Sequence, residues 1–369
     1  MRKCKLGDLF EIKQGYAFKS EKYQSAGKYV LCTLGNISAD NNFKYDLSKA
    51  NYYPDDFSHT FILEEGDLII PLTEQAVGLF GNTAFVPPTN GFQFVLNQRV
   101  GKVTPKKDVA DKYYLHYLLS TELVRNQIEA TATGTSQRNT SPEKIYDVTV
   151  WVPDIEQQRK IGKTLFDLER KVNINKLIND NLEQMAYDTY MHLFFKKQPN
   201  GKLGEIIVEN NKSSVQVGEA KGKSGDYPFF TSGDAILEWD CSMVDGRNCF
   251  LNTGGNAGVK FYIGEAAYST DTWCITANSD LEDYLCLLLL SIKPELNQKF
   301  FQGTGLKHLQ KPLLKDRLIY IPSKEEIKSF NSKVQPLMDM ISVNTRENKR
   351  LINLRDWLLP MLMNGQATV

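Results

Sequence analysis

Between residues 165 and 182 the chain places Leu165, Leu168, Val172, Asn175, Asn179 and Leu182 at spacings of 3, 4, 3, 4 and 3. Val334, Leu337, Ile341, Asn344, Asn348 and Leu351 repeat that spacing 169 residues later. Alternating steps of three and four make a heptad seam, the pattern of a helix that packs along one stripe against a partner helix. Asparagine occupies the same two seam positions in both copies. A seam asparagine weakens packing but fixes register, so each helix is expected to pair with the other. Antiparallel packing about a centre near Leu177 would set Asn175 against Asn348 and Asn179 against Asn344. Pro153-Asp154 and Pro322-Ser323 supply the stop and cap at which the two helical segments begin. Pro336 inside the second segment predicts a kink or a late start there.

The remaining chain reads differently. Residues 1–153 and 202–322 hold short apolar runs, such as Asp67-Leu-Ile-Ile70 and Asn82-Thr-Ala-Phe-Val86, set between turn residues. That is the pattern of short strands. One helix is expected in each body, over 112–130 and over 281–301. The bodies repeat as the helices do. Lys5-Leu-Gly-Asp8 opens the first and Lys202-Leu-Gly-Glu205 the second. Ala132-Thr-Gly-Thr-Ser-Gln-Arg-Asn139 matches Gln302-Gly-Thr-Gly-Leu-Lys-His308, with Gly134 and Gly303 also 169 residues apart. The reading is α+β, in two similar β-rich bodies with short helices and two long helices packed as an antiparallel coiled coil, with pseudo-twofold symmetry. Its segments are 1–153, 154–201, 202–322 and 323–369.

Composition narrows the chemistry. No apolar run reaches the roughly 20 residues of a membrane span, and the opening residues carry no apolar export signal, so a cytoplasmic protein is expected. The 6 cysteines form no C-x-x-C pair and the 4 histidines are scattered, which gives no support to a zinc site. The net charge of zero permits a basic face balanced by an acidic one. Gly222-Lys223-Ser224 lacks the first glycine of a phosphate loop, because position 217 is Val217. Gly254-Gly-Asn-Ala-Gly258 reads as a hairpin turn before a strand. Pro153-Asp154 with Glu169 and Lys171 mimics a nuclease pattern, but the last two fall on polar sides of the helix and read as a solvated face. No (N/D)-P-P-(Y/F), G-x-S-x-G or H-E-x-x-H motif is present. No catalytic constellation emerges.

Two bodies of different sequence joined in one chain behave as a dimer with unlike halves, which on DNA would read a split, asymmetric target. Here the chain resembles the specificity subunits of Type I restriction-modification systems over nearly its whole length. The domain openings at Lys5 and Lys202, the strand Leu96-Asn-Gln-Arg-Val100 with its variant Tyr268-Ser-Thr-Asp-Thr-Trp273, the loop Gly303-Thr-Gly-Leu-Lys-His-Leu309, the helix start Pro153-Asp-Ile-Glu-Gln-Gln-Arg-Lys-Ile161 and the ending Leu358-Leu-Pro-Met-Leu-Met-Asn-Gly365 carry the resemblance. Gln157 stands in the glutamate place, Ile327 where glutamine is usual, and Tyr190-Met-His-Leu193 replaces the L-L-P-x-L ending of the first unit.

The resemblance implies two target recognition domains, each followed by a spacer helix. It implies double-stranded DNA, two modification methyltransferase subunits and motor-nuclease restriction subunits as partners. It implies no catalysis and no cofactor on this chain, since S-adenosylmethionine and ATP would belong to the partners. A related split Type II recognition subunit, a nuclease or methyltransferase containing these domains, and a non-DNA helical scaffold or lectin-like protein are the competing classes. Arg138 and Lys307, equivalent in the two repeat loops, are the first candidates for DNA contact. Tyr16, Lys19, Gln98, Arg99, Asn256 and Lys260 follow, because polar side chains on loops and strand ends supply most groove readout. An extra helical turn inserted after Lys196 is expected to lengthen the spacer between half-sites by one or two base pairs.

Overall fold

The computed structural model describes residues 1–74, 78–134, 137–278, 280–303 and 305–367. Thr135, Ser136 and Thr304 of the repeat loops therefore lie outside the described residues. The chain divides into two compact units, Met1–Lys171 with Leu351–Val369, and Val172–Arg350.

In the first unit a four-stranded antiparallel sheet runs in the order Phe10–Gln14, Val100–Pro105, Leu68–Pro71, Ala84–Phe85. A three-stranded sheet places Tyr29–Cys32 between Tyr52–Tyr53 and, in parallel, Gln93–Leu96. The run Leu68-Ile-Ile70 is apolar without alternation because it is covered on both faces. Leu68 and Ile70 join the helix-side core with Leu115, Leu119 and Leu165, while Ile69 points the other way, into a core with Ala84, Phe94 and Val100.

The second unit repeats this design. Its four-stranded sheet runs Ile207–Glu209, Thr272–Ala277, Arg247–Asn252, Val259–Ile263. Its three-stranded sheet sets Tyr227–Phe230 between Ile236–Trp239 and, again in parallel, Ala267–Tyr268. Cys249 and Leu251 face the helices and Phe250 faces away, stacking on Phe230 with centroids 4.0 Å apart. The hairpin expected at 254–258 joins Arg247–Asn252 to Val259–Ile263.

The repeated K-L-G-D/E opening has a local physical reason. Lys5 pairs with Asp147 at 2.8 Å and Lys202 with Asp316 at 2.9 Å. Each lysine backbone N–H donates to the acid three residues on, at 2.9 Å in both copies. Leu6 and Leu203 are fully buried. A Cβ on Gly7 would lie 2.7 Å from the Cβ of Tyr146. The motif thus clips the first strand of each body to the strand that leads into the long helix.

Those helices are Ile155–Phe194 and Lys324–Met363, each of 40 residues. Asp154 caps the first by accepting from Gln157 N at 2.9 Å. Ser323 and Glu326 cap the second reciprocally, at 2.9 and 3.3 Å. Three expectations need correction. The second helix starts at Lys324 and runs through Pro336; Pro336 and Ser332 are exposed, so the carbonyl deprived of its donor lies on the open side. The segment 112–130 is two helices, Lys112–Ser120 and Glu122–Ala130, because Thr121 is extended and its hydroxyl donates to Leu118 O at 2.7 Å. The segment 281–301 likewise breaks at Ile292, after Glu282–Ser291, into a short helical turn and a π-turn.

Candidate nucleic-acid interface

Each body gathers loops at one end of its four-stranded sheet. In the first unit, Gly15 and Tyr16 run against Leu96–Gln98. Tyr16 N donates to Leu96 O, and Gln98 N to Tyr16 O, both at 2.9 Å. A Cβ on Gly15 would fall 2.1 Å from Asn97 O, so this close approach requires glycine. The Tyr16 ring is 43% exposed and leans on Phe18 and Phe61. Gln98 and Lys19 are exposed, and Arg99 is half-buried. Leu72 N donates to Arg99 O at 2.9 Å, and Thr73–Glu74 then pairs with Arg138–Asn139. The structure therefore brings Tyr16, Gln98, Arg99 and Arg138 to one rim.

The second unit builds the same rim from equivalent bonds. Thr253 N donates to Asp271 O at 3.1 Å, Leu309 N to Thr253 O at 3.0 Å, and Gly255 N to Lys307 O at 2.9 Å. Asp271 thus takes the place of Arg99, and Gly255 that of Glu74. Asn256 lies in the hairpin loop, its carbonyl accepting from Asn252 Nδ2 at 3.0 Å. Lys260 is turned inward. Its ammonium donates to Thr231 O at 2.7 Å and to Gly233 O, and burial lowers its pKa.

Arg138 and Lys307 are electrostatically unlike. Arg138 Nη1 reaches Glu74 Oε1 at 3.0 Å and Glu129 Oε1 at 2.6 Å, and Nη2 donates to Glu129 O at 2.9 Å. The hydrogen bond with Glu129 raises its pKa. Glu74, 1% exposed, also accepts from Leu79 N at 3.0 Å and Phe80 N at 3.3 Å. Arg138 is a clamp on its own loop. Lys307 is exposed opposite Gly255, whose φ is +79° and whose Cβ position meets nothing within 4 Å. Sequence reading missed Glu74 and Asp271, because only strand pairing shows that they occupy these rungs.

Within the second unit the two long helices run antiparallel. Asn175 Nδ2 donates to Asn348 Oδ1 at 2.9 Å and to Glu347 Oε2 at 2.7 Å. Asn344 Nδ2 donates to Asn179 Oδ1 at 2.8 Å. Asn175, Asn344 and Asn348 are buried. Leu177 itself is 63% exposed, and with Ile174, Ile178, Met185, Met340 and Val343 it leaves apolar side chains outside the seam.

Glu169 corrects a further expectation. It is not solvated: its carboxylate accepts from the Tyr117 hydroxyl at 2.8 Å and lies 3.8 Å from His116 Nε2. Burial pushes its pKa up, and His116, Tyr117 and Arg355 together outweigh that and hold it below the usual value. Gly222-Lys223-Ser224 leads into a strand, with Lys223 over the Trp239 ring at 4.3 Å, which is no phosphate loop. Among the described residues no group of three or more His, Cys, Asp or Glu is placed to hold a metal, and no helix is long and apolar enough to cross a membrane.

The family described as Type I restriction modification DNA specificity domain matches residues 1–184 and 196–353. The MjaIX specificity subunit of Methanocaldococcus jannaschii is 22% identical over 322 residues, 74% of this chain and 73% of that one. The HindI specificity subunit of Haemophilus influenzae is 37% identical over 84 residues, 21% of this chain and 18% of that one. The solved S subunit of a Type I restriction-modification system from M. genitalium superposes with a TM-score of 0.66 at 15% identity, covering 98% of this chain and 96% of that one, a likeness of fold.

Proposed function

The chain belongs to the Type I restriction-modification DNA specificity family, and from that premise we propose that it is the subunit that reads a bipartite, asymmetric target on double-stranded DNA in the cytoplasm. Its role is recognition, not catalysis. It recruits two modification methyltransferase subunits and, with them, the motor-nuclease restriction subunits.

One observation carries the reading: the same two-sheet body occurs twice, with an equivalent loop rim furnished by different side chains. Arg99 stands where the second copy has Asp271, and Glu74 where it has Gly255. Like scaffolds with unlike rims suit two different half-sites. An arginine on a rim fits guanine O6 and N7, whereas a carboxylate accepts from cytosine N4 and repels phosphate. The domain boundaries follow as 1–153 and 202–322, with the helices between them as spacers. Lys307, Asn256, Tyr16, Lys19, Gln98 and Arg99 remain our candidates for DNA contact. Arg138 and Lys260 hold loops in shape instead. The exposed apolar side chains of the second unit's helices, Leu177 and Ile178 foremost, are the face we assign to the methyltransferase partners, since exposed apolar clusters mark association surfaces.

The test is to map methylated adenines in host DNA with and without the gene. The expected result is one split motif with unlike halves that vanishes with the gene. An unchanged methylation pattern would contradict the proposal.

A further inference from the structure

The two repeats overlay residue by residue, and the fit of body to helix then differs at three equivalent places. In the first unit Gln158, fully buried, accepts from Asp111 N at 3.2 Å and donates to Val109 O at 3.3 Å and Pro153 O at 3.0 Å. Gly162, one turn on, leaves room for the next helix start: a Cβ there would lie 2.5 Å from Tyr114 N. Glu169, two turns further, takes the Tyr117 hydroxyl beside His116. At about 100° per residue these three positions fall within an arc of about 40°.

The equivalent positions of the second helix, 169 residues on, are Ile327, Asn331 and Met338. They face Leu285 and Cys286 where the first body has His116 and Tyr117, and all four apolar side chains join one core. Asn331 Nδ2 donates to Asp280 O at 2.8 Å, and Asp280 is the equivalent of Asp111. One helix therefore offers amide, gap and carboxylate; the other offers methyls, amide and thioether.

We propose that these positions are a lock that keys each recognition body to its own helix, so the two bodies cannot exchange places and the order of the half-sites is built into the chain. The first body set on the second helix would press the Asp111–Tyr114 backbone into the Asn331 side chain, and would face the Tyr117 hydroxyl and His116 ring with Met338. The second body set on the first helix would bury the Glu169 carboxylate against Leu285 and Cys286 with no donor. Unsatisfied polar groups and carboxylates are the costliest things to bury. The inference rests on the proposed recognition role and adds which helix residues position each reader.

The test copies residues 202–322 into the place of 1–153 in the full chain, assembled with its methyltransferase subunits. One version keeps the first helix as it is. The other carries Gln158→Ile, Gly162→Asn and Glu169→Met. The lock requires the keyed version to methylate a symmetric target, with the second half-site at both ends, about tenfold or more better than the unkeyed one. Equal methylation by both, or silence from both, overturns it.

In the otherwise native chain, Glu169→Met should lose about tenfold in selectivity at the first half-site with the second unchanged, while Glu169→Gln, which keeps an acceptor for Tyr117, stays near wild type. Identical behaviour of these two variants also overturns the lock. Failure of the recognition role itself shows elsewhere: the unaltered chain would then direct methylation to no split motif.

Discussion

Lys307 and Arg138 carry the same charge at the same place in the two repeats, yet one is exposed and the other is held by two carboxylates. A cation already paired releases no counterion from DNA. Lys307→Ala is therefore expected to reduce the salt dependence of duplex binding by about one unit of log–log slope, and Arg138→Ala to leave the slope unchanged while loosening its loop. Equal slopes for both variants would show that neither meets phosphate. The repeat made both residues legible as equivalents. It could not reveal Glu74, which lies 64 residues from Arg138 in sequence and meets it only through strand pairing.

A second residue, Asp283, gives a pH test. It is 1% exposed and bound to Arg247 at 2.8 Å, yet burial lifts its pKa from 3.8 to about 6. The folded state then holds this proton more tightly than the unfolded state does, so its contribution to stability falls as pH rises from about 4 to about 6. Asp283→Asn should flatten the Tm profile in that window; an unchanged profile would contradict the assignment.

The long helices were the most legible elements, since a heptad seam and a cap are local signals. Their asparagines announced a register that side-chain geometry then satisfies. Asn175→Leu should destabilise the chain by about 1–3 kcal/mol in denaturant titrations, because Asn348 loses its donor inside the seam. Adding Asn348→Leu should recover most of that, since replacing both partners removes the unpaired amide. A double variant no better than the single one would mean that the pair does not act as a unit. The exposed apolar face makes a separate prediction. Leu177→Lys with Ile178→Lys should abolish co-purification of the methyltransferase subunits and leave duplex binding intact. Retained co-purification would place their docking elsewhere.

The short elements were harder to read. The break at Thr121 and the unbroken helix through Pro336 depend on hydroxyl capping and on which side of a helix is open, and neither is written in periodicity. Tyr29–Cys32 is buried throughout and pairs in parallel with residues more than sixty positions away, so its partners carried no local signature.

At the scale of the whole molecule, the account holds that one chain carries two readers whose separation on DNA is set by the length of paired helices. Lys196 lies beyond the end of the first helix at Phe194, so a turn inserted there would extend a connection and not the helix, which corrects the insertion site read from sequence. Insertions must enter both helices at facing positions and keep the seam in phase. Seven residues added after Lys176 and seven after Arg346 meet both conditions, since these points lie between the two asparagine pairs.

Each insertion adds about 10.5 Å of helix, the length of about three base pairs. The decisive measurement is the methylated motif of this variant, mapped across host DNA beside that of the unaltered chain. The expected motif keeps both half-sites and lengthens the spacer between them by about three base pairs. A spacer of unchanged length in an active variant would contradict the account.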